Sequence, residues 1–194
     1  MRPAELTPEI VLFAYSQGCF PMPDEKAEKI SWYRPDPRAI IPLDGFHVGR
    51  TLKRVLKKND FTVCSDTQFE RVMRACAARE ETWITEDFIR VYCELHALGC
   101  AHSLEIFRDQ ELVGGIYGVT LGGAFFAESM FHSASDMSKV ALFYLIEHLR
   151  QRNFILLECQ FLTPHLKSLG AQEISDHNYI TLLHEALELE NVRF

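Results

Sequence analysis

An acidic and an amide side chain, Glu158 and Gln160, interrupt an otherwise apolar run near the C-terminal end of the chain. The run, residues 154–161, predicts a buried strand, and side chains alternate across a strand, so we expect Phe154, Leu156, Glu158 and Gln160 to share one face. Both polar groups are costly there unless each finds a partner. Together they can hold an amine, with the carboxylate attracting a proton and the amide fixing its direction. The alternative interpretation is a core strand whose end emerges into solvent.

A second chemical feature is the basic segment at residues 50–58, which holds five Lys or Arg residues and no acid. Arg50, Lys53, Arg54 and Lys57 follow the i, i+3, i+4, i+7 spacing of one helix face. A formal charge of −7 for the whole chain argues against a general nucleic-acid binder. The segment is therefore either a solvated amphipathic helix or a phosphate-binding stripe that would restrict a polyanion to one docking mode.

Composition excludes several classes of protein. The 194 residues, 47% of them hydrophobic, suffice for one core with or without a small second lobe. No apolar stretch approaches the roughly 20 residues of a membrane span, and the N-terminus lacks a signal-peptide core. The six cysteines form no CxxC pair and the eight histidines no HExxH motif, so we expect no metal site. Free thiols favour an intracellular, cytoplasmic protein.

Residues before 100 predict mainly helices separated by an irregular stretch. Thr7-Pro8 predicts a helix start, with an end near Gly18. The proline-rich residues 19–45 should be mostly irregular with short extended pieces. A basic helix, a short strand near residues 61–64 and two further helices follow. We expect Ser65–Gln68 to form a capping box before the first of these two helices, and Thr85 to cap the second.

The pattern changes to strands near residue 101. Three strand-like segments, at about 102–108, 111–120 and 123–130, predict an antiparallel meander. A helix at about 136–151 leads to the strand of Glu158 and Gln160, a crossover suited to parallel pairing, and helices near 164–170 and 176–189 follow. We therefore predict an α+β fold: a small N-terminal lobe, 1–99, and a GNAT-like catalytic domain, 100–194, with an open mixed sheet flanked by helices.

The chain resembles the leucyl/phenylalanyl-tRNA–protein transferase family. The resemblance rests on ten segments in the family's order between about residues 7 and 180. They are Gly18–Pro21 (GCFP), Trp32–Ala39 (WYRPDPRA), Phe46–Arg54 (FHVGRTLKR), Glu81–Thr85 (ETWIT), Leu95–Glu105 (LHALGCAHSLE), Leu112–Val119 (LVGGIYGV), Glu128–Phe131 (ESMF), Ser138-Lys139, Glu158–Gln160 (ECQ) and Ser168–Ala171 (SLGA). The family usually has Asp where this chain has Glu158, which moves the carboxylate by about one bond length.

The resemblance implies an activity. Members of this family take Leu, Phe or sometimes Met from aminoacyl-tRNA and join it to the α-amino group of proteins that begin with Arg or Lys, and the products enter the N-end rule degradation route. They use a GNAT-like domain without metal or CoA, so we expect no cofactor. The ester on aminoacyl-tRNA is already activated, and roughly a tenth of an α-amine with a pKa near 8 is neutral at pH 7, so little base strength is needed. We expect a monomer.

Within this activity, Gln160 would orient the amine and Glu158 would help to deprotonate it. Glu128 would help to hold the basic N-terminal residue or the tRNA terminus; the alternative is an exposed acid at a strand end. The resemblance places the transferred side chain in an apolar pocket formed by Ile116, Phe125, Met130, Leu142 and Leu145. The alternative is that each of these residues belongs to the ordinary core.

Two further sets of residues would bind the tRNA. Trp32, Tyr33 and Trp83 would stack on the terminal adenosine, although both tryptophans fit a core equally well. The basic stripe Arg50, Lys53, Arg54 and Lys57 would bind phosphates of the acceptor stem.

Two other functions remain open. An acyl-CoA-dependent N-acyltransferase would need a Gly-rich loop before its helix to hold the CoA pyrophosphate, and residues 132–135 (HSAS) offer none. A non-catalytic adaptor for basic N-termini or RNA would explain the charges, but not the strand that carries Glu158 and Gln160.

Overall fold

A computed structural model describes residues 6–24, 29–79 and 82–194. Glu81, in one of the segments that carry the family resemblance, lies outside these ranges, as do residues 1–5. The helices of the described residues are α1 (Pro8–Ser16), α2 (Arg50–Lys58), α3 (Phe69–Ala77), α4 (Glu86–Ala97), α5 (Met137–Gln151), α6 (Pro164–Ser168) and α7 (Asp176–Leu187). The strands are β1 (Phe20–Asp24), β2 (Lys29–Tyr33), β3 (Arg38–Ile40), β4 (Thr62–Ser65), β5 (Ala101–Arg108), β6 (Glu111–Leu121), β7 (Ala124–His132), β8 (Leu156–Gln160) and β9 (Gln172–Ile174).

The main sheet has seven strands in the order β4-β5-β6-β7-β8-β3-β9. Among the described strands of this sheet, β7 and β8 pair parallel and the other neighbours pair antiparallel. Helix α5 makes the crossover between the two parallel strands, as the order of elements predicted. The predicted α+β fold with an open mixed sheet flanked by helices is confirmed.

The N-terminal residues contribute to this sheet as well as to a separate hairpin. Strands β1 and β2 pair as a two-stranded sheet, whereas β3 and β4 join the main sheet next to β8 and β5. The division of the chain at residues 99 and 100 stays a prediction, and the main sheet takes two strands from before that point.

Each face of the main sheet carries its own apolar core. One core joins α1, α3, α4 and α7 to the sheet through side chains such as Val11, Val72, Phe88 and Leu183. The other core joins α2 and α5 to the opposite face of the sheet, through side chains such as Leu52 on α2 and Leu149 on α5. This layering buries the sheet on both sides, and a polar side chain in it must find partners inside the protein.

Of the helix starts predicted from local sequence, that of α1 is confirmed and the capping box before α3 is not. The Thr7 hydroxyl accepts the backbone N–H of Ile10, and Pro8 occupies the first turn of α1, both as predicted. The predicted capping box at residues 65–68 is wrong, since α3 begins after Gln68 without a side-chain cap. The buried carboxylate of Glu105, on β5, instead accepts the N–H groups of Thr67 and Gln68, a partner that local sequence does not reveal.

The remaining elements lie close to their predicted positions. The three strands of the meander, helix α5, strand β8 and the last two helices were all predicted, whereas the three-residue strand β9 was not. Among the described helices, none combines the length and apolar character that crossing a bilayer requires.

Candidate active site

Strands β7 and β8 diverge at the centre of the sheet. Their parallel pairing ends at Phe126 and Glu158, while β7 continues to His132. A cavity of about 800 Å³ lies beyond this point, lined by residues of β7 after Phe126 and by Cys159 and Gln160 of β8. This divergence explains how a crossover fold opens a site at its centre, because two paired strands leave no such space.

Gln160 is fixed at the edge of this cavity by two glutamates. Its backbone is left-handed, with φ +64°, and its backbone N–H donates to Oε1 of Glu158 at 2.7 Å. Its side-chain Nε2 donates to Oε1 of Glu128 at 3.2 Å. Because the amide nitrogen donates to Glu128, the amide oxygen of Gln160 is left to accept a hydrogen bond from a ligand.

Glu158 is fully buried and does not line the cavity. Its Oε1 accepts from Nη1 of Arg38 at 3.0 Å as well as from the backbone of Gln160, and its Oε2 has no partner among the described residues. Burial raises the pKa of Glu158, and the charge of Arg38 opposes that rise. Strand alternation led us to expect both side chains at one opening. The left-handed turn at Gln160 breaks the alternation, and only Gln160 reaches the cavity.

Arg38 connects several parts of the fold around Glu158. It is 1% exposed, and its guanidinium also donates to the carbonyl oxygen of Gly18, just after α1. The same group lies over the ring of Tyr179 on α7, 4.3 Å from the centroid, and over Phe20 at 5.3 Å. A buried guanidinium held by a carboxylate and an aromatic face is electrostatically paired on both sides.

Glu128 is the second carboxyl group at the site, and it lines the cavity although it is only 7% exposed. The Tyr15 hydroxyl donates to its Oε1, and the Tyr92 hydroxyl donates to its Oε2 at 3.4 Å. The two hydroxyls are 2.9 Å apart. Burial raises the pKa of Glu128 to about 8, and the charge of Glu158 acts in the same direction, whereas its hydrogen-bond donors lower it.

Three of the five predicted pocket residues line the cavity: Ile116, Met130 and Leu142. Phe125 and Leu145 do not line it; both are fully buried in the core on the α5 side of the sheet. Because other core residues enclose them, Phe125 and Leu145 do not face the cavity in which a transferred side chain would lie.

The three aromatic residues predicted to stack on a base do not line the cavity. Trp32 and Tyr33, on β2, are each 40% exposed. The ring of Tyr33 is stacked on Phe20, which in turn contacts Phe161, the residue after Gln160. Trp83 is partly buried and packs edge-on against Phe88. Two of the three are thus available on the surface, and the third belongs mainly to the core.

The basic stripe, defined as Arg50, Lys53, Arg54 and Lys57, lies on the exposed face of α2. Leu52 anchors the opposite face in the core. Within residues 6–24, 29–79 and 82–194, none of the four forms an ion pair, so their charges face solvent. The predicted amphipathic helix is present.

Sequence reasoning missed three residues that organise the site: Arg38, Tyr15 and Tyr92. Each sits in a segment that reads as ordinary structure. Arg38 leads directly into the apolar residues 39–41, and a charge at the start of such a run is the one signal that points to a buried ion pair. The two tyrosines occupy apolar helix faces and carry no local signal.

Comparison with known proteins identifies the family. The model of the family described as leucyl/phenylalanyl-tRNA protein transferase matches residues 40–184, and that of its N-terminal domain matches residues 4–36. The chain belongs to this family. It is therefore an aminoacyltransferase, and the acyl-CoA alternative is not favoured.

Individual relatives support the same assignment over nearly the whole chain. The leucyl/phenylalanyl-tRNA–protein transferase of Cereibacter sphaeroides is 53% identical over 97% of this chain and 88% of its own length. That of Herpetosiphon aurantiacus is 51% identical over 94% of this chain and 95% of its own length. That of Gloeobacter violaceus is 50% identical over 95% of each.

Two solved structures resemble the chain distantly. L-PGS from Bacillus licheniformis has a TM-score of 0.47 at 11% identity, covering 80% of this chain and 66% of its own. A GCN5-related N-acetyltransferase-like protein from Streptococcus suis has a TM-score of 0.41 at 13% identity, covering 71% and 58%. At these scores the likeness adds nothing to the topology described above.

Proposed function

We propose that this chain moves Leu or Phe from aminoacyl-tRNA to the α-amino group of proteins that begin with Arg or Lys. It would act as a cytoplasmic monomer and mark its targets for degradation by the N-end rule route. The observation that carries the proposal is Gln160, held at the edge of the cavity between two carboxyl groups. An activated ester and an amine need chiefly to be oriented toward each other, and a fixed amide is suited to that task.

Gln160 would orient the incoming amine. Its amide nitrogen donates to Oε1 of Glu128 at 3.2 Å, which leaves the amide oxygen to accept a hydrogen bond from an N–H of the amine. One hydrogen bond to an N–H does not by itself aim the lone pair of the amine at the ester carbon. The rest of the acceptor peptide must be held in place as well. The cavity walls supply that second constraint.

Glu158 would act through Gln160 rather than as a base in contact with the substrate. Its carboxylate does not reach the cavity, but it accepts the backbone N–H of Gln160 and so stabilises the left-handed backbone that points the amide into the cavity. The extra methylene relative to the usual Asp supports this arrangement, because it lets the carboxylate fold back toward Arg38 and Gln160.

The transferred side chain would occupy the apolar wall formed by Ile116, Met130 and Leu142. Met130 and Leu142 can adapt their shape to either Leu or Phe. Phe125 and Leu145 would support that wall from behind. A β-branched side chain is excluded only by fit, worth about 1–3 kcal/mol, so Val should be transferred more slowly than Leu.

The acceptor's basic side chain would pair with Glu128. Of the described residues that line the cavity, Glu128 carries the one carboxyl group. A guanidinium or ammonium inside a partly apolar cavity needs a counter-charge, and the lining offers no other.

The tRNA would bind outside the cavity. Trp32 and Tyr33 are exposed enough to stack on a base, with Trp83 as a weaker candidate, and the basic stripe on α2 would contact acceptor-stem phosphates. Neutralising the four basic residues should flatten the salt dependence of tRNA binding, and an unchanged slope would argue against this surface.

The experiment that tests the proposal is transfer of radiolabelled Leu from Leu-tRNA to a peptide beginning with Arg. Gln160→Ala should lower the rate at least about tenfold, since it removes the orienting group while sparing the carboxyl pair. Gln151→Ala, on the exposed end of α5, is the matched control and should transfer at the wild-type rate. A folded Gln160→Ala variant with full activity would rule out this role for Gln160.

A further inference from the structure

The contacts around Glu128 form a closed triangle. The carboxyl group of Glu128, the hydroxyl of Tyr15 and the hydroxyl of Tyr92 make three oxygen–oxygen contacts, one between each pair. Two of the corners are neutral hydroxyls with one hydrogen each. Tyr15 on α1 and Tyr92 on α4 are fully buried, so water cannot supply a missing hydrogen to the contact between their hydroxyls, whereas Glu128 on β7 also borders the cavity.

Counting hydrogens shows which state of Glu128 fits these contacts. With an ionised carboxylate, two hydroxyl hydrogens must serve three contacts, and one pair of oxygens faces each other without a hydrogen. A protonated carboxyl group supplies the third hydrogen. Oε2 then donates to Tyr92, Tyr92 to Tyr15, and Tyr15 to Oε1, so that each of the three groups donates once and accepts once within the triangle. The only contact whose direction changes is the longest of the three, at 3.4 Å.

A cation in the cavity can favour the ionised state despite the missing hydrogen. An anionic Glu128 accepts from Tyr15, Tyr92 and Nε2 of Gln160, three donors already in place. Its remaining acceptor capacity faces the cavity. The triangle therefore has two arrangements. The neutral one satisfies all three contacts with the cavity empty, whereas the anionic one leaves the Tyr15–Tyr92 contact without a hydrogen and is favoured when a cation in the cavity pairs with Glu128.

We infer that Glu128 is protonated in the empty enzyme and that binding of an acceptor with a basic first residue expels this proton. Tyr15 and Tyr92 are then positioning residues that support both states. The inference rests on the proposed function, in which Glu128 holds the acceptor's basic side chain. The empty cavity would carry no fixed negative charge beside the wall that receives Leu or Phe.

The surrounding charges are consistent with a proton held at neutral pH. Burial raises the pKa of Glu128 to about 8, with Glu158 adding to the rise and its hydrogen-bond donors lowering it. Among the described residues, the other charged and titratable groups around the triangle are Tyr117 of β6, Cys76 of α3, Arg79 after α3, and Arg38 beyond Glu158, while His132, Cys159 and His165 line the same cavity. Neither arginine bonds to Glu128: Arg38 is paired with Glu158, and Arg79 donates to Ser129 and to the Met130 carbonyl.

The test measures proton release on binding, without aminoacyl-tRNA, so that no reaction occurs. Calorimetry at pH 7 in buffers of different ionisation heat compares two peptides that differ in their first residue, Arg or its uncharged analogue citrulline. Any proton lost by the common α-amine cancels between them. The wild-type enzyme should release close to one proton more with the Arg peptide, since a group with a pKa of about 8 is mostly protonated at pH 7. Glu128→Gln should show no such difference.

The pH dependence gives a second readout. As pH increases toward about 8, the preference of the wild-type enzyme for the Arg over the citrulline peptide should rise by up to tenfold per pH unit. The reason is that only the ionised fraction of Glu128 pairs with the cation, and this fraction grows with pH. In difference infrared spectra, wild type minus Glu128→Gln, a protonated carboxyl band should be present and should vanish when the Arg peptide is added. An absent band, or one that persists with the peptide bound, would overturn the inference.

The two levels of the argument fail in different ways. If Glu128→Gln keeps the wild-type preference for Arg over citrulline, Glu128 does not hold the basic side chain and the underlying proposal is wrong. If the variant loses that preference by about tenfold or more while the wild type releases no extra proton, Glu128 holds the side chain but is already ionised. Only the second result leaves the acceptor site standing and removes the proton linkage.

Discussion

The two carboxyl groups that hold Gln160 are both buried, yet they are stabilised by opposite means. Glu158 faces the guanidinium of Arg38, a full positive charge, and is closed off from the cavity. Glu128 faces two tyrosine hydroxyls and an amide, all neutral, and lines the cavity. A carboxylate with an internal counter-ion is paired whatever enters the cavity, whereas the charge of one surrounded by neutral donors depends on the ligand.

This difference assigns separate tasks to the two groups. The pair of Glu158 and Arg38 fixes geometry, because it holds the backbone of Gln160 and connects it to α7 and to the segment after α1. Glu128 is left to respond to the substrate. If the comparison is correct, breaking the first group should damage the fold and the rate together, whereas breaking the second should alter pH dependence and acceptor choice.

The largest effect should come from Arg38→Met. It leaves Glu158 as a buried charge without a counter-ion, which typically costs about 3–5 kcal/mol, and transfer should be lost with it. Chemical denaturation and the leucine transfer assay measure the two consequences. Arg150→Met is the matched control: Arg150 forms an exposed ion pair with Glu147, so its loss should change stability by less than about 1 kcal/mol.

A double variant separates structure from positioning. Arg38→Met combined with Glu158→Leu replaces the buried pair by apolar groups and should recover much of the lost stability. Transfer should stay low, because the backbone N–H of Gln160 still lacks its acceptor. If the double variant transferred at the wild-type rate, the pair would be structural only.

These partners also explain how far the sequence could be read. The meander, α5 and β8 were predicted because each follows from a pattern within a few residues, and the polar residues Glu128 and Gln160 stood out against apolar neighbours. The contact of Arg38 with Glu158 spans 120 positions and that of Tyr15 with Glu128 spans 113. No periodicity links residues so far apart, and only the folded sheet brings them together.

Local irregularities set a second limit. Strand alternation placed Glu158 and Gln160 at one opening, and a single residue with φ +64° separated them. Gln is not a residue whose type predicts a left-handed backbone, which favours Gly and Asn. The same applies to the capping box at residues 65–68, where Glu105 of β5 supplies the carboxylate that accepts the N–H groups of Thr67 and Gln68, just before α3.

An intermediate effect should appear in the pH dependence of stability. Burial raises the pKa of Glu128 from an ordinary 4.5 to about 8, so between these values the folded state holds a proton that the unfolded state has lost. The free energy of unfolding should therefore fall as pH rises through this window, by at most about 1.4 kcal/mol per unit from this group. Below pH 4.5 both states are protonated and this contribution is fully present.

Glu128→Gln should flatten that fall, because glutamine keeps the shape but does not titrate. Part of the slope should remain, since burial also raises the pKa of Glu158. Denaturation between pH 5 and 8 measures it, with Glu185→Gln on the exposed face of α7 as the control. Parallel curves for the wild type and Glu128→Gln would mean that Glu128 titrates alike in both states and that its surroundings differ less from those of Glu158 than the contacts indicate.

The smallest effect compares one tyrosine from each region. Tyr15 uses its hydroxyl, which bonds Glu128 and lies 2.9 Å from the Tyr92 hydroxyl, whereas the buried Tyr179 hydroxyl has no partner among the described residues. Tyr15→Phe should cost about 1–3 kcal/mol, because it leaves polar partners unsatisfied in the interior. Tyr179→Phe removes an unsatisfied hydroxyl and keeps the ring that packs on Arg38. The free energy of unfolding should therefore fall by no more than about 0.5 kcal/mol, or should increase. If denaturation shows equal losses for both, the Tyr179 hydroxyl has a partner, such as a bound water, and the Arg38 region depends on neutral hydrogen bonds as much as the Glu128 region does.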